Sequence, residues 1–259
     1  AFPECVQLDA PPLRALEVAA DTTFDLVILT YQVWYLSPAL PMTAFLKSEE
    51  GRKLIDGKPV ITLVACRNMW LSAQETMKQL IAGAGGRLID HLAFTDQGHP
   101  LATFITTPRW VWTGKKNSFL GLPPAGVSPE EIRQASRFGL ALADGLNNDR
   151  EKSGQPMLAG LRAVTVNVRL AVSERAGRRA FGVWSKLVRL FGKRGQWRRR
   201  PVLLLFVVYL ITLIVTVVPI SLLLQWLFSP LLKPRLERLK AELEQPSGSQ
   251  EFNLQKYAP

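Results

Sequence analysis

The sequence predicts an α/β domain built on a parallel, doubly wound sheet, followed by a membrane-spanning helix. Three observations carry this expectation. Short apolar runs at Asp25–Thr30, Val60–Ala65 and Arg87–Phe94 have the length and side chains of strands. Helix-like stretches separate them, and strands alternating with helices read as right-handed βαβ units with helices on both faces of the sheet. Finally, Val202 to Phe228 holds no charged residue, where a span needs about 20 apolar residues.

Each element follows from local chemistry. Phe2–Leu8 is short and reads as extended, and Pro11 and Pro12 open a weak helical run to about Ala19. Leu26, Val27, Ile28 and Leu29 form an uninterrupted apolar run, which predicts a strand buried on both faces. Tyr31, Gln32, Trp34, Tyr35 and Ser37 follow, then Pro38 and Pro41. This is a loop at the carboxyl end of a strand, the place where open α/β sheets bind ligands. Met42–Ile55 is predicted as one helix and Gly57-Lys58-Pro59 as a turn. Val60–Ala65 (VITLVA) is a second buried strand, rich in β-branched residues, and Cys66, Arg67, Asn68, Met69 and Trp70 form the loop after it. Ser72–Ala82 is helical and ends at Gly83–Gly86. Arg87–Phe94 is the third strand.

Gly98 to Gly126 is predicted as a long connection rich in Pro, Gly and Trp, a length that points to function. Arg109, Trp110 and Trp112 within it suit either covering a site or touching lipid, and the sequence does not separate the two. Asp96, Gln97 and His99 follow the third strand on the ligand side of the sheet. Ser128-Pro129-Glu130-Glu131 starts a helix, with Ser128 as cap, Pro129 at the first helical position and Glu131 placed for a capping box. That helix runs to about Leu146 and closes an α/β domain of residues 1–146.

Residues 147–200 read as a linker and a basic juxtamembrane segment. Val183, Trp184, Leu187, Val188 and Phe191 share a helical face and Lys186 and Arg189 lie elsewhere, a pattern that suits either an anionic membrane surface or packing on the domain. Residues 201–230 form the span, read as a single pass rather than a re-entrant pair, because a turn at membrane depth leaves backbone groups unpaired. Pro219 is expected to kink it. Lys193, Arg194 and Arg198–Arg200 before the span outweigh the cations after it, which predicts a cytoplasmic N-terminal domain. Residues 231–259 read as a polar tail, disordered from Ala241.

The 259 residues carry 32 Lys and Arg against 21 Asp and Glu, a net charge of +11. The basic residues gather at the apolar run and accompany no nucleic-acid motif, so membrane lipid, not nucleic acid, is the expected partner. Cys5 and Cys66 have neither metal-ligand spacing nor a disulfide framework, and His91 and His99 add no metal set. Ala1–Pro12 lacks the basic and apolar regions of a signal peptide. Oligomeric state is left open, a homo-oligomer included.

The loops carry a family resemblance. DLVILTYQVWYLSPALP resembles the strand and loop of flavodoxin-like quinone reductases, in which a Pro- and Trp-bearing loop covers a flavin ring. GKPVITLVACRN is similar to their next strand, whose loop contacts the flavin edge. The resemblance covers about Asp25 to Leu146 and implies FMN as cofactor. It places Tyr31, Gln32, Val33 and Trp34 in the first ring-contacting loop and Cys66, Arg67 and Asn68 in the second. Tyr31 or Trp34 can offer a flat face for stacking, and backbone N–H groups with an arginine suit a reduced, anionic flavin. The resemblance also implies an earlier strand with a Ser/Thr- and Gly-bearing phosphate loop, which the sequence before Asp25 lacks. The expectations are a copy incomplete at its N-terminus or a diverged domain without FMN. TDQGHPLATFITTPRW and RRRPVLLLFVVYLITLIVTVVP resemble membrane-anchored bacterial proteins called dialkylresorcinol condensing enzymes. The implied activities are an FMN-dependent oxidoreductase acting on a quinone-like, lipid-soluble substrate, or a cofactor-free membrane protein of an aryl-lipid pathway. A condensing enzyme would need a nucleophilic cysteine, for which Cys66 is the candidate.

Overall fold

The computed structural model describes residues 1–18, 22–99, 102–217, 219–221, 223 and 229–258. Its centre is a three-stranded sheet of β1 (Val27–Tyr31), β4 (Pro59–Cys66) and β5 (Arg87–Thr95), in the order β1-β4-β5. All pairings are parallel, with Val27 opposite Val60 and Ala65 opposite Phe94. Between β1 and β4 lie a small antiparallel hairpin, β2 (Val33–Trp34) with β3 (Ser37–Pro38), and two helices, α2 (Leu40–Lys47) and α3 (Glu49–Ile55). Helix α4 (Leu71–Gly83) returns the chain from β4 to β5.

Alternation along the strands sorts the two faces of the sheet. Tyr31, Thr62 and His91 face α4, where Gln74 bonds Tyr31 and Thr62. Phe94 faces the other way, edge-on to Phe138 of α7 (Ser136–Asn147). Helices therefore lie on both faces of the mixed α/β unit. The core joins Leu29, Ile55, Val60, Ile61, Val64, Met77, Ile81, Leu92 and Phe138 with Leu158, Leu161 and Val164 from beyond α7.

Several expected boundaries move. The helix predicted over Met42–Ile55 breaks at Ser48, whose extended backbone (ψ 158) ends α2 and whose hydroxyl accepts the Gly51 N–H to cap α3. The N-terminal segment expected as extended is instead the helix α1 (Phe2–Val6), started by Pro3. No helix forms over residues 11–18, and 19–21 lie outside the described residues. The strand β1 is not buried on both faces: Leu29 and Tyr31 are, but Ile28 is 51% exposed. The connection after β5 holds a helix of its own, α5 (Thr103–Thr113), which keeps Pro108 inside it. The Ser128 cap forms as expected, its hydroxyl accepting the Glu131 N–H, but α6 (Pro129–Gln134) and α7 are separate helices.

The C-terminal region departs furthest. Helix α8 (Val168–Leu190) buries its first turns against α4, and α9 (Arg200–Val215) crosses α8. The apolar helical stretch runs Trp197–Ser221, is long and apolar enough to cross a membrane, and is almost wholly unburied. Residues 218, 222 and 224–228 lie outside the described set, while Pro219 is described, helical and exposed within this stretch. After α10 (Ser229–Leu243) the expected polar tail folds back onto the domain. Ser247 accepts the His91 N–H and donates to Asp90, and Tyr257 joins the core. A few polar groups aimed at buried backbone order this segment, rather than an apolar run.

Candidate functional site

The carboxyl ends of β1, β4 and β5 lie side by side, because the parallel register sets Tyr31 beside Val64 and Cys66 beside Thr95. Three connections leave from this edge: Gln32 to Ala39, Arg67 to Trp70, and Asp96 onward. They gather the two predicted loops at one end of the sheet. Within them the residues have different fates.

Tyr31 points inward. It is 3% exposed, and its hydroxyl donates to Gln74 Oε1 at 2.8 Å. Burial pushes its phenol well above the ordinary value. The network continues, with Gln74 Nε2 donating to Thr62 Oγ1 at 3.0 Å and Thr62 Oγ1 lying 2.8 Å from His91 Nδ1. His91 Nε2 has no hydrogen-bond partner, and burial lowers the imidazole to about 3, so the ring is neutral. Trp70 packs on it at 4.9 Å. This polar chain ties all three strands to α4 beneath the site, which leaves Trp34 as the aromatic face for stacking.

Trp34 is 37% exposed, and its indole N–H donates to Gln32 Oε1 at 3.3 Å. Val33 packs against the core. Tyr35 and Leu36 turn the hairpin with φ of 53° and 58°, a left-handed pair that usually calls for Asn or Gly. What holds them there is tertiary. Arg178 Nη1 donates to Leu36 O at 2.8 Å, the Cys5 thiol donates to Trp34 O at 3.1 Å, and Tyr35 meets Phe2 edge-on at 5.1 Å. Phe2 in turn stacks on Phe206 of α9 at 4.0 Å, and Phe181 lies 5.6 Å from both. The hairpin is thus bound through α1 and α8 to the start of the apolar helix.

In the second loop Cys66 is pushed up to about 12, chiefly by burial and also by Glu174, and so stays a thiol. Arg67 lies 4.2 Å over the Phe104 ring; burial lowers it while Asp96 and Cys66 act the other way. Asn68 Nδ2 is buried without a hydrogen-bond partner, an unspent donor at the loop. In the third connection the Asp96 carboxylate accepts the N–H of Gly98 and of Gly126, each at 2.7 Å, and Arg67 O accepts the Asp96 N–H. Asp96 therefore braces the loops.

Sequence reasoning missed two buried carboxylates, Glu174 and Glu4, and read Arg199, which pairs with Glu4, only as a membrane flank. Glu174 of α8 is 1% exposed and accepts the Ser72 N–H, filling the N-terminus of α4 with a carboxylate. Burial, the largest influence, raises it. Glu4 and Arg199 form a buried pair at 2.7 Å. Burial pushes the Glu4 carboxyl up, but the bond and charge of Arg199 hold it below its ordinary value. Each lies too far along the chain from its partner for a motif to mark it. A cavity of about 230 Å³ between α4 and α8, lined by Ser72, Thr76, Gln79, Arg175 and Arg178, touches neither predicted loop.

Of what a flavin would need, Trp34 offers an exposed face, the unspent Asn68 donor is buried, and the described residues present no glycine-rich cradle for the phosphate. Among the described residues no group of three His, Cys, Asp or Glu gathers as metal ligands. No family model, curated protein or solved structure matches the chain.

Proposed function

We propose that the chain is a membrane-anchored, flavodoxin-like flavoprotein, an FMN-dependent oxidoreductase that acts on a quinone-like, lipid-soluble substrate at the carboxyl edge of its sheet. One observation carries the reading. The hairpin bearing Trp34 is packed through Tyr35, Phe2 and Phe181 onto Phe206 at the start of the apolar helix. A substrate leaving a bilayer along that helix meets the loop without crossing bulk water.

In this reading Trp34 stacks on the ring and Asn68 Nδ2 donates to an acceptor on its edge. Arg67, held in place by Phe104, offsets negative charge on the reduced ring. FMN, when bound, supplies the two-electron chemistry. The hairpin and the loop after β4 orient the ring and exclude water from one side. The basic cluster before the span supports a cytoplasmic domain by the positive-inside rule.

The test is direct. Full-length protein purified in mild detergent should carry flavin absorbance or take up FMN with quenching of tryptophan fluorescence, and Trp34→Ala should weaken uptake by about tenfold, the loss expected for one aromatic stacking contact. Protein that neither carries nor binds FMN overturns the reading.

A second reading has its own support. The inward Tyr31, which removes one of the two aromatic faces expected for the ring, favours a cofactor-free membrane protein of a dialkylresorcinol or aryl-lipid pathway, and an FMN-dependent activity would count against it. The raised Cys66 thiol does not support a condensing nucleophile.

A further inference from the structure

A second feature of the carboxyl edge points away from the domain. Every residue from Val111 to Gly121 is exposed. They include Val111 at 73%, Trp112 at 83%, Phe119 at 39% and Leu120 at 80%. The excursion is nonetheless ordered. Arg109 of α5 donates to Asn117 O at 2.8 Å and to Asn117 Oδ1 at 3.1 Å, and its guanidinium lies 4.6 Å over Phe119. Lys116 sits 4.2 Å over Trp110, and its carbonyl accepts the Ala125 N–H. Phe119 and Leu122 pair across a two-residue turn whose tip is Leu120-Gly121, with φ of 51° and 75°.

That tip is costly in water. A leucine with positive φ is unfavourable where Asn or Gly would serve, and this one also exposes its side chain. Trp110 packs over Gly126, near the site, while Trp112 points outward. The charge is one-sided as well. From Gln97 to Pro129 there is no Asp or Glu, and Arg109, Lys115 and Lys116 are the charged residues. Aromatic and aliphatic side chains ringed by lysine and arginine are the chemistry of the interface of an anionic bilayer.

We infer that the α5 excursion, with Trp112 and Leu120 at its tip, is a second membrane contact that seats in the headgroup region of an anionic lipid bilayer. Val111, Trp112 and Leu120 enter the acyl boundary, and Arg109, Lys115 and Lys116 meet lipid phosphates. The contact sets the carboxyl edge against the bilayer in addition to the tether of the apolar helix. It rests on the membrane part of the proposed function and not on FMN.

The experiment uses the full chain in nanodiscs of phosphatidylcholine with or without phosphatidylglycerol. Leu120→Cys carries an environment-sensitive fluorophore, protein without that cysteine gives the background, and Asn148→Cys is the control on another loop. In anionic discs, nitroxide-labelled acyl chains should quench residue 120 by about twofold or more and leave residue 148 unquenched. Replacing Lys115 and Lys116 together by Gln should lower the seated-to-free ratio by about fivefold per lysine. Protein that elutes apart from the discs overturns the anchoring itself. Protein that elutes with them but keeps residue 120 unquenched, or cross-links residue 120 to a second copy, overturns the interfacial seat alone.

Discussion

His91 shows how a single side chain gives the fold a pH dependence. Its ring is enclosed by Thr62, Trp70 and Gln74's hydrogen-bond chain, and burial lowers it from 6.5 to about 3. A cation whose folded pKa is lowered contributes stability that is complete above the unfolded value and is lost as pH falls from 6.5 towards 3. Asp90 works in the opposite sense. Burial raises it to about 6 although Ser247, Met157 and Leu158 all donate to it, so acid below that value favours the folded state. Comparing wild type with His91→Gln cancels the Asp90 contribution. Between pH 7 and pH 5 wild type should lose about 2 kcal/mol more than the variant, at about 1.4 kcal/mol per pH unit below 6.5. Urea unfolding of the full chain in detergent, followed by tryptophan fluorescence, measures it. Equal losses in the two proteins would place His91 in contact with solvent.

At the scale of elements, what could be read from the sequence depended on how each element earns its place. The three strands were legible because parallel strands between helices are short apolar runs, and Ser128 was legible because a cap is a local pattern. Helix α5 was not, since Pro108 and the flanking glycines argue for a loop, while Arg109 and Lys116 order it through contacts that no periodicity records. In the site, the grouping of the two loops followed from strand order, but the inward turn of Tyr31 did not, because it depends on which face α4 covers. Helix α1 was missed for a similar reason. Five residues hold no helix alone; Phe2 against Phe206 and Glu4 against Arg199 hold this one. Removing one member of a buried ion pair costs more than removing both. Arg199→Met should therefore destabilise the full chain by about 3 kcal/mol, and Glu4→Met with Arg199→Met should recover most of that. Thermal unfolding in detergent compares the three, and a double variant as unstable as the single one would show that the pair is not the link.

The whole molecule is asymmetric about its sheet. The outer edge of β5 is covered: Ala93 N–H donates to Ala163 O, and Ser247 takes the His91 N–H. Among the described residues nothing pairs with the outer edge of β1, and Ile28 beside it is 51% exposed. An open strand edge with an aliphatic residue next to it is a template for pairing with another strand. Yet the interior of β1 is complete, since Leu29 is buried in the core and Tyr31 is buried and bonded to Gln74 of α4. The edge and the core of this strand are thus separable. Ile28→Lys, which places a charge on the exposed face, should change stability by no more than about 0.5 kcal/mol, as expected for a surface site. It should also reduce self-association through the edge. Light scattering of the full chain in detergent over a concentration series reads this as a loss of mass above the monomer, with unfolding as the control. A marked loss of stability would instead mean that Ile28 is covered in the native protein. An unchanged mass distribution with stability intact would show that the β1 edge is not where copies meet.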